Sequence, residues 1–213
     1  IMEGRGVPAK AAFPSGFSYG NDAVETVSYD PEEAKKLLEK SGWTDTDGDG
    51  YVDKDGQKLT INWLTYPTRL EQPKLAEYAQ ATLKEIGIDV SVNNTSDHRT
   101  YAENGEFDVY VSSLTTAPTG DPEYFFSSTV TGSKNYGNYQ NDEVTKLTEQ
   151  LHQTFDTDER GKLAVELQQK ILDDDAYFFV SHLNMGIVTK ANVTGMAAHP
   201  CDYYEITADL DVQ

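Results

Sequence analysis

The stretch "KLTINWLTYPTRLEQPKLAEYAQATLKEIGIDVSV", residues 58–92, decides the fold class. Its first and last residues alternate apolar and polar side chains, and this alternation predicts two strands. Between them the spacing predicts a helix that begins at Pro73 and ends at Gly87. A strand, a helix and a second strand in this order indicate two parallel strands of an α/β sheet. The side chains expected on the inward face of the helix are Leu75, Tyr78, Ala79 and Ile86.

Elements before and after this stretch continue the pattern. Asp30 and Pro31 predict the start of a helix, because aspartate caps helices and proline suits their first turn. A short helix near 97–104 and a third strand at 107–111 are expected to follow the quoted stretch. The inward residues of the first helix are expected to be Ala34, Leu37 and Leu38.

The C-terminal half predicts two longer helices and a strand region. Asn141 or Asp142 caps the first of these helices, and Asp156 caps the second. Residues 176–190, "AYFFVSHLNMGIVTK", predict one or two buried strands. The second helix is expected to face inward with Leu163, Leu167 and Ile171.

These elements indicate an α/β fold, with a mixed sheet covered by helices. We expect an extended lead-in at 1–29, an α/β ligand-binding lobe at 30–192 and a tail segment at 193–213. Ligands of such sheets bind beyond the carboxyl ends of the strands. The kinked loop at 115–126 follows the third strand, so it is the first candidate for a ligand contact.

The composition excludes several classes of partner. The net charge is −19, from 17 basic and 36 acidic residues, so nucleic acid and anionic membranes are not expected to bind. No apolar run is long enough to span a membrane. Cys201 is the single cysteine, which excludes an intramolecular disulfide. Because Ile1 is not an initiator residue, the missing signal peptide carries no information.

The most specific short motif is "DTDGDGYVDKDG", residues 45–56. Asp45, Asp47, Asp49 and Asp53 stand where a calcium loop has ligands, and the glycine after Asp49 permits the sharp turn. The twelfth position, which should be a bidentate glutamate, is a glycine. A calcium site and a solvated hairpin turn therefore both fit, and calcium is the one cofactor that the sequence suggests.

Enzyme chemistry finds no support in the sequence. There is no nucleophile elbow, no glycine-rich phosphate loop and no recognisable pair of catalytic carboxylates. The four histidines are scattered, so no zinc site can be assigned. His199 lies in a kinked segment with Cys201 and Asp202, where the three could meet a soft metal, although a structural role is the commoner one for a loop histidine.

Several segments in order resemble the solute-binding proteins of ABC importers for peptides and nickel, bacterial extracellular solute-binding family 5. Each segment is weak alone, but their order and spacing are specific and cover nearly the whole chain. The segments are "YDPEEAKKLLEKSGW", "DGDGYVDKDGQKLTINW", "LAEYAQATLKEIGIDVSV", "YAENGEFDVYVSS", "DPEYFFSS" and "AYFFVSHLNMGIVTKANVTGM".

The resemblance implies the C-terminal lobe of a type II periplasmic-binding-protein-like fold, in a protein more than twice this length. Its ligand would lie in a cleft between two lobes, and the 115–126 loop would form one wall. Where peptide-binding members carry an aspartate for the ligand's amino group, this chain has Pro118. The "AP…DP" pattern of this loop is more similar to that of the nickel-importing members. The loop lacks the Trp and the Tyr that those members carry. The contacts implied are Thr115, Thr116, Pro118, Thr119, Tyr124 and, as the candidate imidazole, His199.

The implied function is that of an extracytoplasmic receptor, periplasmic or anchored at the cell surface. It would capture a nickel chelate or a short peptide and deliver it to ABC permease subunits, and it would not be an enzyme. A calcium-binding surface or interaction module, based on the aspartate loop alone, is the alternative.

Overall fold

The structure is a computed structural model that describes residues 3–198 and 206–213. Within them the chain divides into two compact units. Unit 1 comprises 27–113, and unit 2 comprises 3–26 together with 114–198 and 206–213. The elements in chain order are β1 (Gly6–Pro8), α1 (Pro31–Lys40), β2 (Asp53–Lys54), β3 (Gln57–Lys58), β4 (Thr60–Thr65), α2 (Glu71–Lys84), β5 (Asp89–Asn94), α3 (His98–Glu103), β6 (Val109–Tyr110), α4 (Glu123–Phe125), a π-helical turn (Phe126–Val130), α5 (Asp142–Gln153), α6 (Thr157–Asp173), β7 (Ser181–Leu183), β8 (Val193–Thr194) and β9 (Asp211–Val212).

Unit 1 is built on a parallel sheet with the strand order β5-β4-β6. The register between β4 and β5 runs from Thr60 opposite Asp89 to Thr65 opposite Asn94, and β6 pairs with the other edge of β4. The strand–helix–strand prediction and the α/β fold class are therefore confirmed. Among the described residues the antiparallel pairs lie in separate two-stranded sheets, β2 with β3, β1 with β7 and β8 with β9.

The helices of unit 1 start close to the predicted residues. The faces that these helices bury differ from the predicted faces. The carboxylate of Asp30 accepts a hydrogen bond from the Glu33 N–H at 2.9 Å, which confirms the cap of α1. The predicted inward stripe of α1 is wrong, because no residue of this helix is buried and Leu37 is 53% exposed. Apolar periodicity identifies a face of a helix, and the described residues cover this face only in part, since Ala34 and Leu38 are half-buried.

Helix α2 begins at Glu71, two residues before Pro73, and the face that it buries differs from the predicted one. Gln72 and Ala76 are buried, whereas Tyr78 is 57% exposed, so the predicted inward position of Tyr78 is wrong. The buried amide of Gln72 donates to the Ser113 hydroxyl at 2.9 Å, which gives this polar side chain a partner inside unit 1.

The lead-in of the chain belongs to the core of unit 2. Phe13 is fully buried, and its ring lies 6.0 Å from those of Phe125 and Phe126 and 5.0 Å from that of Tyr19. Strand β1 also pairs with β7, with Gly6 opposite Leu183. The compact units therefore have other bounds than the predicted segments 1–29, 30–192 and 193–213.

The two long helices of unit 2 confirm the sequence reading. Asn141 caps α5 and Asp156 caps α6, each with its side chain accepting two backbone N–H groups. The three predicted inward residues of α6 are all buried, namely Leu163, Leu167 and Ile171. Helix caps and apolar spacing depend on residues that are close in the chain, so both can be predicted from the sequence alone.

The segment 176–190 is only partly a strand, and its predicted burial is wrong. Strand β7 has three residues, and Phe178, Met185 and Val188 are 80%, 69% and 97% exposed. Strand β7 pairs with β1 alone among the described residues, and Tyr177 and Phe179 before it pack partly buried against the core of unit 2. The tail segment adds β9, which pairs with β8.

No helix in the described part of the chain is both long and apolar enough to cross a membrane.

Removing the Phe13 side chain tests whether the lead-in is part of the fold. We expect Phe13→Ala to lower the free energy of unfolding by about 3 to 5 kcal/mol, because it leaves a cavity among buried rings. Phe155→Ala is the matched control, since Phe155 is 93% exposed, and it should change stability by less than about 0.5 kcal/mol. Urea denaturation checks both, with Phe13→Leu as a milder variant. Equal stability of the parent and both Phe13 variants would contradict this packing.

Candidate functional site

The loop at 115–126 is tied to the lead-in of unit 2 at two points. The Thr116 hydroxyl donates to the carbonyl of Ala12 at 2.9 Å, and the Tyr19 hydroxyl donates to the carbonyl of Gly120 at 2.7 Å. The Gly120 N–H closes a turn onto the Ala117 carbonyl, and Gly120 has a φ of 79°, which a side chain would disfavour. The loop is therefore a fixed shelf.

Arg160 fixes the far end of the same loop. Its Nε and one Nη2–H bond both carboxylate oxygens of Asp121, at 2.8 and 2.7 Å. Nη2 also bonds Glu123 at 2.9 Å, and Nη1 donates to the carbonyls of Leu151 and Thr154 at 2.6 Å each. All five N–H groups of the guanidinium therefore have partners, and the loop is joined to the end of α5 and the start of α6.

The two carboxylates of this network are held in their charged form. For Asp121 burial opposes ionisation, but the hydrogen bonds from Arg160 and the Glu123 N–H outweigh it and lower the pKa. For Glu123 the 2.6 Å contact with His152 Nδ1 is the largest cause of a lowered pKa, and Arg160 adds to it. Both carboxylates are thus bonded by the Arg160 guanidinium within unit 2.

The three aromatic residues at the end of the loop differ in burial. Phe125 and Phe126 are 1% and 0% exposed and lie in the core of unit 2. Tyr124 is 41% exposed, and Lys134 lies over its ring while donating to its hydroxyl at 2.9 Å. The two phenylalanines therefore anchor the shelf, and Tyr124 is the aromatic that a solute can reach.

The predicted contact residues of the loop differ in accessibility. Thr115 and Thr119 are exposed, and Thr116 is partly exposed, with its hydroxyl engaged by Ala12. Pro118 is buried, so it contributes to the conformation of the loop and not to its exposed surface. His199 lies outside the described residues, as do Cys201 and Asp202.

The sequence reasoning missed the residues that hold the loop. Arg160 is 39 residues from Asp121, and Tyr19 is 101 residues from Gly120. An arginine in the first turn of a helix, and an aspartate before a proline in a loop, are each ordinary features. Only the tertiary fold brings them together.

A second polar and aromatic cluster was also missed, at the carboxyl edge of the parallel sheet in unit 1. Tyr66 follows β4 and is 6% exposed, and its ring stacks on His98 with centroids 4.1 Å apart. His98 Nδ1 lies 2.6 Å from the hydroxyl of Tyr110 in β6. The Tyr66 hydroxyl accepts the Ser113 N–H at 3.0 Å. The signal for this cluster was that Tyr66 and His98 follow predicted strands, whereas Tyr110 lies within the third predicted strand.

The aspartate loop brings together three of the four predicted calcium ligands. Carboxylate oxygens of Asp45, Asp47 and Asp49 lie within 4.8 Å of one another, and all three residues are exposed. The Asp45 carboxylate also accepts the N–H groups of Gly48 and Gly50, at 2.7 and 3.0 Å. This turn gathers oxygen atoms of the kind that calcium prefers.

Asp53 and Lys58 are unfavourable for calcium. Both oxygens of Asp53 accept hydrogen bonds from Thr46, at 2.8 and 2.6 Å, and Asp53 is not part of the cluster. The Lys58 ammonium lies 2.5 Å from a carboxylate oxygen of Asp49. An ammonium in this position competes with a cation for the same oxygen.

Comparison with known proteins identifies the chain. A family model for the bacterial extracellular solute-binding proteins, family 5 middle, matches residues 1–137. The chain belongs to this family. It is 31% identical over 201 residues to the oligopeptide-binding protein AppA of Bacillus subtilis (strain 168), covering 91% of the chain and 37% of that protein. It is 28% identical over 201 residues to the nickel-binding periplasmic protein of Escherichia coli (strain K12), covering 90% and 38%.

Solved structures agree with the fold. The nickel ABC transporter structure from Bacillus halodurans superposes with a TM-score of 0.77 at 27% identity, covering 100% of the chain and 45% of that protein. The chain thus spans less than half the length of these relatives. The family resemblance and the type II fold class are confirmed, and the relatives are solute-binding transport proteins.

Weakening the guanidinium network should destabilise unit 2. Arg160→Lys keeps the charge but loses the planar fork, and we expect a loss of about 2 kcal/mol in the free energy of unfolding, since Asp121 is partly screened by water. Lys162→Gln is the matched control two residues along α6, where an exposed ion pair with Glu159 should contribute less than about 0.5 kcal/mol.

The parent and Arg160→Lys should differ in free energy of unfolding by an amount that depends on pH, because the pKa values of Asp121 and Glu123 are lowered in the folded state. Their stabilising effect is complete above the unfolded-state values of about 4 and is lost as pH falls through the folded-state values. The difference between parent and Arg160→Lys should therefore be full at about pH 7 and shrink below about pH 4. A difference that stays constant into strong acid, or none at neutral pH, would contradict this role.

The Lys58 ammonium makes the calcium hypothesis testable. Lys58→Gln removes the competing cation, so calcium should raise the Tm of this variant more than that of the parent. Lys54→Gln is the control, because the Lys54 ammonium donates to the Ser41 carbonyl at 2.9 Å and not to the aspartate cluster. Differential scanning calorimetry with and without calcium measures both. Unchanged Tm values in all three proteins would identify the segment as a solvated hairpin turn.

Proposed function

We propose that this chain is the solute-binding part of an extracytoplasmic receptor that captures a nickel chelate or a short peptide and passes it to an ABC permease. The observation that carries the proposal is the fixed loop 115–126 in a chain that belongs to the solute-binding family. A rigid shelf limits the entropy that must be lost when a solute binds.

The exposed groups of the shelf suit a solute held by shape and hydrogen bonds. Thr115, Thr119 and Tyr124 are exposed, and of these Thr119 can offer a hydroxyl group and Tyr124 an aromatic surface. The two carboxylates at the end of the loop, Asp121 and Glu123, are both occupied by Arg160. The loop therefore offers no open carboxylate to the amino group of a peptide, and Pro118 supplies none in the position where peptide-binding members have one.

The proposed partners are the solute and the permease subunits of the importer. The receptor would act outside the cytoplasm, in the periplasm or anchored at the cell surface, and without catalysing a reaction. The relatives support this assignment, because they carry the names of oligopeptide-binding and nickel-binding proteins. A second lobe of the longer protein would form the other wall of the cleft.

A calcium-dependent surface module is the second candidate function. It is favoured by the convergence of Asp45, Asp47 and Asp49 alone. Calcium that raised thermal stability and left solute affinity unchanged would assign this loop a structural role within the transport receptor. Calcium that was required for attachment to another protein would favour the module instead.

The test of the proposal is a calorimetric titration of this chain and of the longer protein with nickel plus free histidine and with short peptides. A micromolar solute corresponds to about 8 kcal/mol, and half of that leaves about 4 kcal/mol, near millimolar. We therefore expect the longer protein to bind one of these solutes tightly and this chain to bind it weakly. Peptides with free and acetylated amino termini should bind alike, because the loop has no open carboxylate. Equal micromolar affinity in both proteins would place the whole site within this chain and reject the cleft.

A further inference from the structure

The strand order of unit 1 has one point of reversal, which lies at the edge between β4 and β6. From β4 the chain passes through α2 to β5 on one side, and then through α3 to β6 on the other side of β4. The order β5-β4-β6 therefore reverses direction between β4 and β6. In open α/β sheets ligands bind outside the carboxyl ends of the strands at this kind of reversal.

His98 occupies this point of reversal. Its ring stacks on Tyr66, which follows β4, with an interplanar angle of 22°. Its Nδ1 atom contacts the hydroxyl of Tyr110 in β6 at 2.6 Å. The imidazole is thus held against residues from both strands that border the reversal, and it is partly exposed.

These contacts leave one ring nitrogen available. When Nδ1 carries the proton, it donates to the Tyr110 hydroxyl oxygen, and Nε2 presents its lone pair. Within the described part of the chain Nε2 has no hydrogen-bond partner. Burial lowers the pKa of His98, Arg99 lowers it further and Asp97 opposes both, so the neutral ring prevails near pH 7.

We propose that Nε2 of His98 coordinates a metal ion that a small chelator already holds, which makes His98 a specificity-determining residue for metal chelates. The proposal rests on the function proposed above. Among the described residues no His, Cys, Asp or Glu ligand set of three or more includes His98, so a bare ion would lack enough protein ligands there. A chelate with an open coordination position needs only one more donor, and imidazole suits nickel, copper and zinc.

The orientation of the ring supports this role. A ligating imidazole is commonly fixed through its other nitrogen, which sets the tautomer and the direction of the lone pair. The Tyr110 hydroxyl can accept a hydrogen bond from Nδ1–H of His98 at 2.6 Å, which is the tautomer that the proposal requires, and Tyr66 limits rotation of the ring by stacking. In this tautomer Nε2 is oriented for a ligand in advance.

The experiment records ring proton signals of the 213-residue chain by NMR while equimolar nickel and free histidine are added. Paramagnetic nickel should broaden the His98 signals first, with those of Tyr66 and Tyr110, before the signals of His152 and His182. His98→Gln should weaken chelate binding about tenfold and leave the affinity for metal-free peptides unchanged. Glu103→Gln, an exposed change on the same helix, should alter neither affinity.

Either of two results overturns the inference. One is that the His98 signals stay sharp at nickel concentrations that broaden another histidine or none. The other is that His98→Gln and the parent bind the chelate equally. Tight peptide binding by the longer protein in either case would retain the transport function and reject only the role of His98. Failure of the longer protein to bind chelate or peptide would reject the function as well.

Discussion

The planar guanidinium of Arg160 is the interaction on which the candidate solute shelf depends. It bonds Asp121 and Glu123 on the loop and two carbonyls at the end of α5, and every one of its N–H groups is used. Asp121 stands just before the short helix that places Phe125 and Phe126 in the core. The same contact therefore positions the shelf and removes its carboxylates from ligand binding.

The two units contribute to function by different means. Unit 2 offers a loop whose backbone is fixed by side chains from distant parts of the sequence, including Tyr19 in the lead-in. Unit 1 offers the carboxyl edge of a parallel sheet, where the strand order reverses as it does at the ligand sites of open α/β sheets. The chain belongs to the solute-binding family, and the role proposed for His98 on the unit 1 surface is to bind a metal chelate.

Local features were predictable from the sequence, and features that depend on distant partners were not. The caps at Asp30, Asn141 and Asp156 and the parallel strands follow from short-range patterns. The exposure of Leu37 and Tyr78 was missed, because a periodic pattern does not say whether another element covers the face.

The same distinction applies to the candidate sites. Asp45, Asp47 and Asp49 meet because they share one turn, but the ammonium of Lys58 beside Asp49 required the fold. The family resemblance indicated the 115–126 loop, whereas its attachment to Arg160 spans 39 residues. The central claim is that this attachment keeps the loop rigid before any solute binds. Backbone ¹⁵N relaxation of the free chain tests it most directly. Order parameters near 0.85 for the non-proline amides of 115–121, falling in Arg160→Lys, are the expected result, and values below about 0.6 in the parent would contradict it.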